Sequence, residues 1–224
     1  MLVLAADTSG KFGSIALAKC GPGEACEVLE IVPLEGGTFS AQLVPQIAAL
    51  LSKHGFTKTD IGAFIVAAGP GSFTGLRVGL AAIKALAEVM QKPIASVSLL
   101  EVVALAAGKS GKVLAALDAG RKEAYAGEYQ VEESNTTLIS EKLLTQGELL
   151  QAAAGSVLVT PDHNLAELAR GAGLAVEEIA RPRSDAIARL GWRKLLAGDT
   201  VSPGALEANY IRRSDAEIFS KPNL

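Results

Sequence analysis

The sequence predicts a duplicated α/β protein, two similar lobes built from mixed sheets with flanking helices, and three observations carry that prediction. Two apolar strands, residues 2–6 and 113–117, each end in an aspartate, Asp7 and Asp118, placed half a chain length apart. Each is followed by two further strand patterns and then by alternating helix and strand, so the halves repeat one order of elements. The composition suits such layers: 49% of the 224 residues are hydrophobic but only 4% are aromatic, leaving Ala, Val, Leu and Gly to pack helices closely on sheets.

In chain order, residues 2–6 read as a buried strand because the apolar run is unbroken. Asp7-Thr8-Ser9-Gly10-Lys11-Phe12-Gly13 turns the chain into a second strand over 14–19. Gly21-Pro22-Gly23 turns it again into a third over 28–34, glycine accepting positive φ and proline fixing its own. Cys20 and Cys26 flank this turn, and a hairpin there would bring them together. Reduced thiols in a cytoplasmic protein are the expectation. Ser40 opens a helix with Pro45 near its start, where a proline costs least. Its apolar positions Leu43, Val44, Ile47, Leu50 and Leu51, closed by His54, form one stripe. A strand over 63–68 leads into a helix over 72–90, with Leu76, Leu80, Ile83, Ala87 and Met90 at helical spacing. A short strand over 94–97 and a helix over 99–107 follow. Gly108-Lys109-Ser110-Gly111 breaks the pattern, which places a boundary between lobes 1–108 and 109–224. The second half repeats the order, with strands over 113–117, 124–130 and 136–140 and a helix over 146–154. Strand, helix, strand and helix then follow over 156–160, 164–171, 174–179 and 185–196.

Gly69-Pro70-Gly71-Ser72-Phe73-Thr74-Gly75-Leu76-Arg77-Val78-Gly79 is the stretch around which the first half is organised. Ser72 suits an N-cap. Gly75 and Gly79 each cost about 1 kcal/mol against alanine inside a helix. Four residues apart, they leave a smooth strip, either for close packing on the protein's own sheet or for a partner helix.

Several chemistries are disfavoured. A Walker loop needs Gly-Lys-Ser/Thr, whereas Gly75 is followed by Leu76 and Arg77. Gly71-Ser72-Phe73-Thr74-Gly75 has the spacing of a nucleophile elbow, but His163, in the other half, is the only histidine downstream. His54 and His163 lie far apart, and no Cys/His cluster has zinc spacing, so no metal site is expected. No apolar run is long enough for a bilayer, and 1–10 contain Asp7 and no basic leader, unlike a signal peptide. The net charge of −3 argues against strong nucleic-acid binding by the chain alone. Residues 181–224 hold eight Lys or Arg against five Asp or Glu, a basic tail able to add to a composite surface. Asp7, Thr8, Ser9 and Asp118 fit the turns that hold phosphate and organise Mg²⁺ in two-lobed nucleotide-binding folds. Strand-end aspartates also commonly just receive turn hydrogen bonds.

The glycine-rich stretch closely resembles the signature of the TsaB family, accessory proteins of bacterial tRNA threonylcarbamoyladenosine synthesis. Asp7-Thr8-Ser9 matches too, as do Leu117-Asp118-Ala119 with Arg121, Glu123 and Tyr125, and Asn209-Tyr210-Ile211-Arg212. The family commonly has arginine directly after Asp-Ala; here Gly120 intervenes before Arg121. The resemblance runs through the whole chain and implies the duplicated actin/Hsp70-like (ASKHA, RNase H-like) fold. It implies a catalytically silent subunit that pairs with a TsaD-like catalytic subunit and works with a TsaE-like ATPase, meeting tRNA only through the complex. The catalytic paralogue's metal-binding histidine pair falls, by spacing, on Leu99 and Val103. Pairing, with TsaD or as a homodimer, runs in that family through the first two helices of the N-terminal lobe. That assigns Leu43, Ile47, Leu50, Phe73, Gly75, Leu76, Gly79 and Ile83 to the interface. No cofactor is expected in the isolated chain, and a weak ATP or ADP contact only in the complex. A stand-alone ATPase or kinase of the same superfold is the competing reading, and a glycoprotease-like hydrolase a weaker one.

Overall fold

A computed structural model describes residues 1–133 and 135–212. The first sheet contains β1 (Leu2–Asp7), β2 (Phe12–Cys20), β3 (Cys26–Glu35), β4 (Ile61–Gly69) and β5 (Ile94–Ser98), in the order β3-β2-β1-β4-β5. The second contains β6 (Gly111–Gly120), β7 (Glu123–Glu132), β8 (Asn135–Thr145), β9 (Val157–Thr160) and β10 (Val176–Glu178), in the order β10-β9-β6-β7-β8. Renumbered from its own first strand, the second order is the first one reversed end to end, and the directions agree. β1 runs antiparallel to β2 and parallel to β4, as β6 does to β7 and β9. The duplication read from the aspartate spacing is therefore a duplication of topology.

The helices are α1 (Phe39–Lys53), α2 (Phe73–Met90), α3 (Leu99–Ala106), α4 (Gln146–Ala152), α5 (His163–Gly171) and α6 (Ser184–Leu196). Strand alternation decides which side of each sheet they cover. Leu2, Leu4 and Ala6 face a core shared with α1 and α2, while Val3 and Ala5 face one shared with α3 and α6. In β6, Leu114 and Ala116 turn to α4 and α5, and Val113, Ala115 and Leu117 turn to α3 and α6. The molecule is thus five layers deep, with α3 and α6 as a common middle layer between the two sheets.

That middle layer corrects the expected boundary. The sheets do divide between Ser98 and Gly111, but residues 109–224 do not form one lobe. α6 packs across β1, β4 and β5 of the first sheet, Val201 bridges to Ile94, and the Asn209 amide donates to the Ala68 carbonyl at 2.7 Å. The expected basic tail extends over 213–224, outside the described residues.

Candidate functional site: an interlobe cleft and an uncharged helical face

The two lobes enclose a cleft of about 1200 Å³, entered past the β1–β2 turn, the start of α2 and the β6–β7 turn. Ser72 caps α2 as its sequence position predicts, its Oγ accepting from the Gly75 amide at 3.3 Å. Its hydroxyl has no histidine base at hand, because His163 pairs instead with Glu178 at 3.0 Å.

Asp7, Thr8 and Ser9 are all buried beside the cleft floor. Asp7 Oδ1 accepts from the Ser9 amide at 2.8 Å, and Asp118 Oδ1 accepts from the Gly120 amide at 2.9 Å. The same aspartate turn is therefore built twice, one in each half. Thr8 Oγ1 donates to the Gly75 carbonyl at 2.7 Å, and Ser9 O accepts from the Ser72 amide at 2.6 Å. The Thr8 hydroxyl that the sequence reading offered to phosphate, together with the Ser9 carbonyl, thus holds the turn against α2.

This docking corrects the reading of Gly75 and Gly79 as a surface for a partner helix. A Cβ on Gly75 would overlap the Thr8 carbonyl oxygen, and one on Gly79 would overlap Thr8 Oγ1. Both glycines face the protein's own turn. Five of the other assigned interface residues, Leu43, Ile47, Leu50, Leu76 and Ile83, are at most 5% exposed within the core under α1 and α2. A position inside that core cannot also meet another chain. Of the assigned set only Phe73 reaches the surface, at 37% exposure.

The outer side of the two helices is where their surface lies. Val44, grouped with the α1 stripe in the sequence reading, is 50% exposed and points away from it. Ala41, Pro45, Ala48 and Ala49 join it on α1, and Ala81, Ala85 and Val89 continue the face on α2. No charged residue occurs from Gly36 to Ser52, although a solvent-facing helix ordinarily carries its charges there. The helix equivalent to α1 in the second half, α4, by contrast exposes Glu148 in its first turn, and α5, equivalent to α2, is charged on its outer side. It sets Glu167 and Arg170 outward, paired at 2.7 Å.

Burial is the dominant influence on the Asp7 carboxyl and pushes it above its ordinary range, against the Ser9 hydrogen bonds and the Arg181 charge. A raised folded value makes this group's contribution to stability complete below about pH 4, the ordinary aspartate range, and lost as pH rises through the folded value. Asp7→Asn keeps the acceptor and removes the charge. The variant is expected to melt higher than wild type at pH 7, with the gap closing toward pH 4. Each kcal/mol relieved appears as about 2–4 °C. Paired melts across pH check this, and a gap that widens on acidification overturns it.

The cleft also gathers Lys11, Arg121, Arg181 and Arg212. Arg181 pairs with Asp162 at 3.0 Å, and Arg212 with Glu123. Arg212 also donates to the Ala119 carbonyl at 2.9 Å, which ties this segment to the second lobe. Tyr210, one residue after Asn209, stacks on Phe73 at 5.1 Å, and the Arg77 guanidinium lies 3.8 Å over that ring. The segment 206–212 is therefore a strap across the cleft mouth. Asn209-Tyr210-Ile211-Arg212 was noticeable in the sequence as a motif, but nothing local told what it crossed. Glu141 had no sequence signal. It accepts from Ser98 at 2.6 Å and from Tyr129 and Asn209 at 2.5 Å each, joining β5, β7 and the strap.

Leu99 and Val103, 6% and 1% exposed, lie in the apolar middle layer, where their side chains offer no lone pair. Among the described residues no group of three or more His, Cys, Asp or Glu is placed to hold a metal ion. No described helix is long and apolar enough to cross a membrane.

Comparisons with known proteins agree with this architecture. The family model of TsaD, tRNA N6-adenosine threonylcarbamoyltransferase, matches residues 31–188. The TsaB protein of Escherichia coli, a tRNA threonylcarbamoyladenosine biosynthesis protein, is 29% identical over 96% of each chain. A solved structure from Pseudomonas aeruginosa, described as an uncharacterized protein with similarity to peptidase YEAZ, has a TM-score of 0.76 at 26% identity, covering 94% of this chain and 99% of that one. The activator of the 2-hydroxyisocaproyl-CoA dehydratase from Clostridium difficile, solved with bound ADPNP, shares the fold alone. Its TM-score is 0.52 at 9% identity, over 89% of this chain and 97% of that one. The duplicated topology is that of the actin-like two-lobed class, and the chain belongs to the TsaB branch of the TsaD family, the proteins of tRNA threonylcarbamoyladenosine biosynthesis.

Proposed function

We propose that this chain is the non-catalytic partner subunit of a threonylcarbamoyl transferase complex in the cytoplasm. It pairs with a TsaD-like catalytic subunit and, with a TsaE-like ATPase, supports transfer to N6 of the tRNA adenosine beside the anticodon. The observation that carries the reading is the uncharged outer side of α1, which Ala81, Ala85 and Val89 extend onto α2 beside Lys84 and Glu88, an apolar surface of the kind that marks a protein contact. The same face serves a homodimer when the catalytic subunit is absent, so the two assemblies compete. Leu99 and Val103 support the non-catalytic role, since neither can bind a metal or move a proton.

The cleft of the isolated chain takes adenine nucleotide weakly at best, because the Thr8 hydroxyl and the Ser9, Asp118 and Gly120 amides already have partners within the fold. Reconstitution with the TsaD-like and TsaE-like proteins, ATP, threonine, bicarbonate and the enzyme that makes the adenylate tests the whole reading. Modified tRNA is expected only when this chain and the TsaD-like subunit are both present. Transfer by this chain without the TsaD-like subunit would overturn it. Submicromolar ATP affinity of the chain alone by calorimetry would favour the stand-alone ATPase.

A further inference from the structure

Cys20 and Cys26 face one another as a register pair of the β2–β3 hairpin. The hairpin's hydrogen bonds decide how close they lie. The Cys20 amide donates to the Met1 carbonyl at 2.8 Å, and the Met1 ammonium donates to the Cys20 carbonyl at 2.5 Å, so both polar groups of Cys20 turn toward β1. The Cys26 carbonyl also points away from β2, accepting from Arg189 Nη1 at 2.8 Å. The two cysteines are therefore a pair without hydrogen bonds between them, the narrow kind, with Cα atoms about 4.5 Å apart. A disulfide spans Cα separations of about 4.4–6.8 Å. Both thiols are free, and their Sγ atoms approach to 2.9 Å.

We propose that Cys20 and Cys26 are a redox-active dithiol, a modification site that closes to a cross-strand disulfide by exchange with a small-molecule disulfide and reopens with thiol. Cys26 is the attacking sulfur. It lies on edge strand β3 beside the exposed hairpin tip at 22–25, and is 7% exposed against 2% for Cys20. The hydrogen bond from Cys20 lowers its thiol below the ordinary value, and the same bond together with burial raises Cys20. The Cys26 thiolate attacks one sulfur of oxidised glutathione, whose S–S bond breaks, and a glutathione thiolate leaves. Cys20, losing its proton, then displaces the second glutathione from the Cys26 sulfur. Two electrons and two protons pass from the pair to two glutathione molecules. Closure staples the hairpin on which α6 rests, where Trp192 Nε1 donates to the Gly23 carbonyl at 2.9 Å.

The test uses the full chain equilibrated in oxidised-to-reduced glutathione mixtures, then alkylated and weighed intact. The expected result under oxidising conditions is loss of two hydrogens in mass with no alkylatable thiol, reversed by dithiothreitol. The melting temperature of the closed form should rise by about 5 °C, the entropy effect of a short closed loop. Cys20→Ala is expected to hold one glutathione on Cys26, accumulating faster than the adduct of Cys26→Ala because Cys26 is the more exposed of the two. Two thiols still alkylated after oxidation, stable glutathione adducts on wild type, or disulfide-linked dimers would overturn the proposal. Wild-type mass alone decides it if either variant folds poorly.

Discussion

Gly79→Arg is expected to unfold the protein or lower its melting temperature by about 10 °C, rather than to spare the fold and block a partner. In an open helix the substitution would be stabilising by several tenths of a kcal/mol to about 1 kcal/mol, since glycine is among the poorest helix formers. Here the new side chain would start inside the Thr8 hydroxyl. That hydroxyl cannot swing away freely, because it holds the Gly75 carbonyl at 2.7 Å in a buried site. Overpacking costs about 1–3 kcal/mol or more, and a buried Thr8 hydroxyl left without its acceptor adds about 1–3 kcal/mol. In a protein of this size each kcal/mol is about 2–4 °C. Smaller changes sharpen the sign. Gly75→Ala meets a backbone oxygen, which yields less easily than a hydroxyl, so it is expected to destabilise at least as much as Gly79→Ala. Thermal melts of the alanine variants are enough to decide. Either one melting above wild type would mean that the helix stands clear of the turn.

The outer face calls for the opposite design. Val44→Asp combined with Ala85→Asp is expected to leave the melting temperature almost unchanged, because both positions are solvent-exposed and surface changes usually stay within about 0.5 kcal/mol. Association should fall about 100-fold or more, for self-pairing and for the TsaD-like subunit alike. Two added carboxylates would be buried by either contact, and a charge left unpaired at an interface costs about 2–5 kcal/mol, where about 1.4 kcal/mol is already tenfold. Glu167→Lys on α5 is the control, a charge change on the equivalent helix of the other lobe. Sedimentation across concentration and co-purification with the catalytic subunit read the result. A folded double variant that binds as wild type does would remove α1 and α2 from the interface.

The sequence by itself determined the elements and their duplication. Apolar runs broken by Gly and Pro marked the strands, and helical spacing marked α2 from Ser72 to Met90. Two aspartates half a chain apart announced a repeat, because each half needs the same turn at the end of its first strand. The glycine-rich stretch was legible as special, since two glycines inside one helix have a cost that some contact must offset. What only the tertiary structure decided is which contact that is. Thr8 lies 67 residues from Gly75 in the chain, so no local pattern could show that the β1–β2 turn would occupy the strip. The same limit applies to α1. Its 3.6-residue period located an apolar stripe, and because its outward positions are also Ala, Val and Pro, hydrophobicity alone could not separate the buried side from the exposed one. The split of the chain at residue 108 separated the sheets but missed the return of α6 for a related reason. Local composition reports where a sheet stops, whereas α6 returns to the first sheet because the layer between two sheets must be filled from both halves.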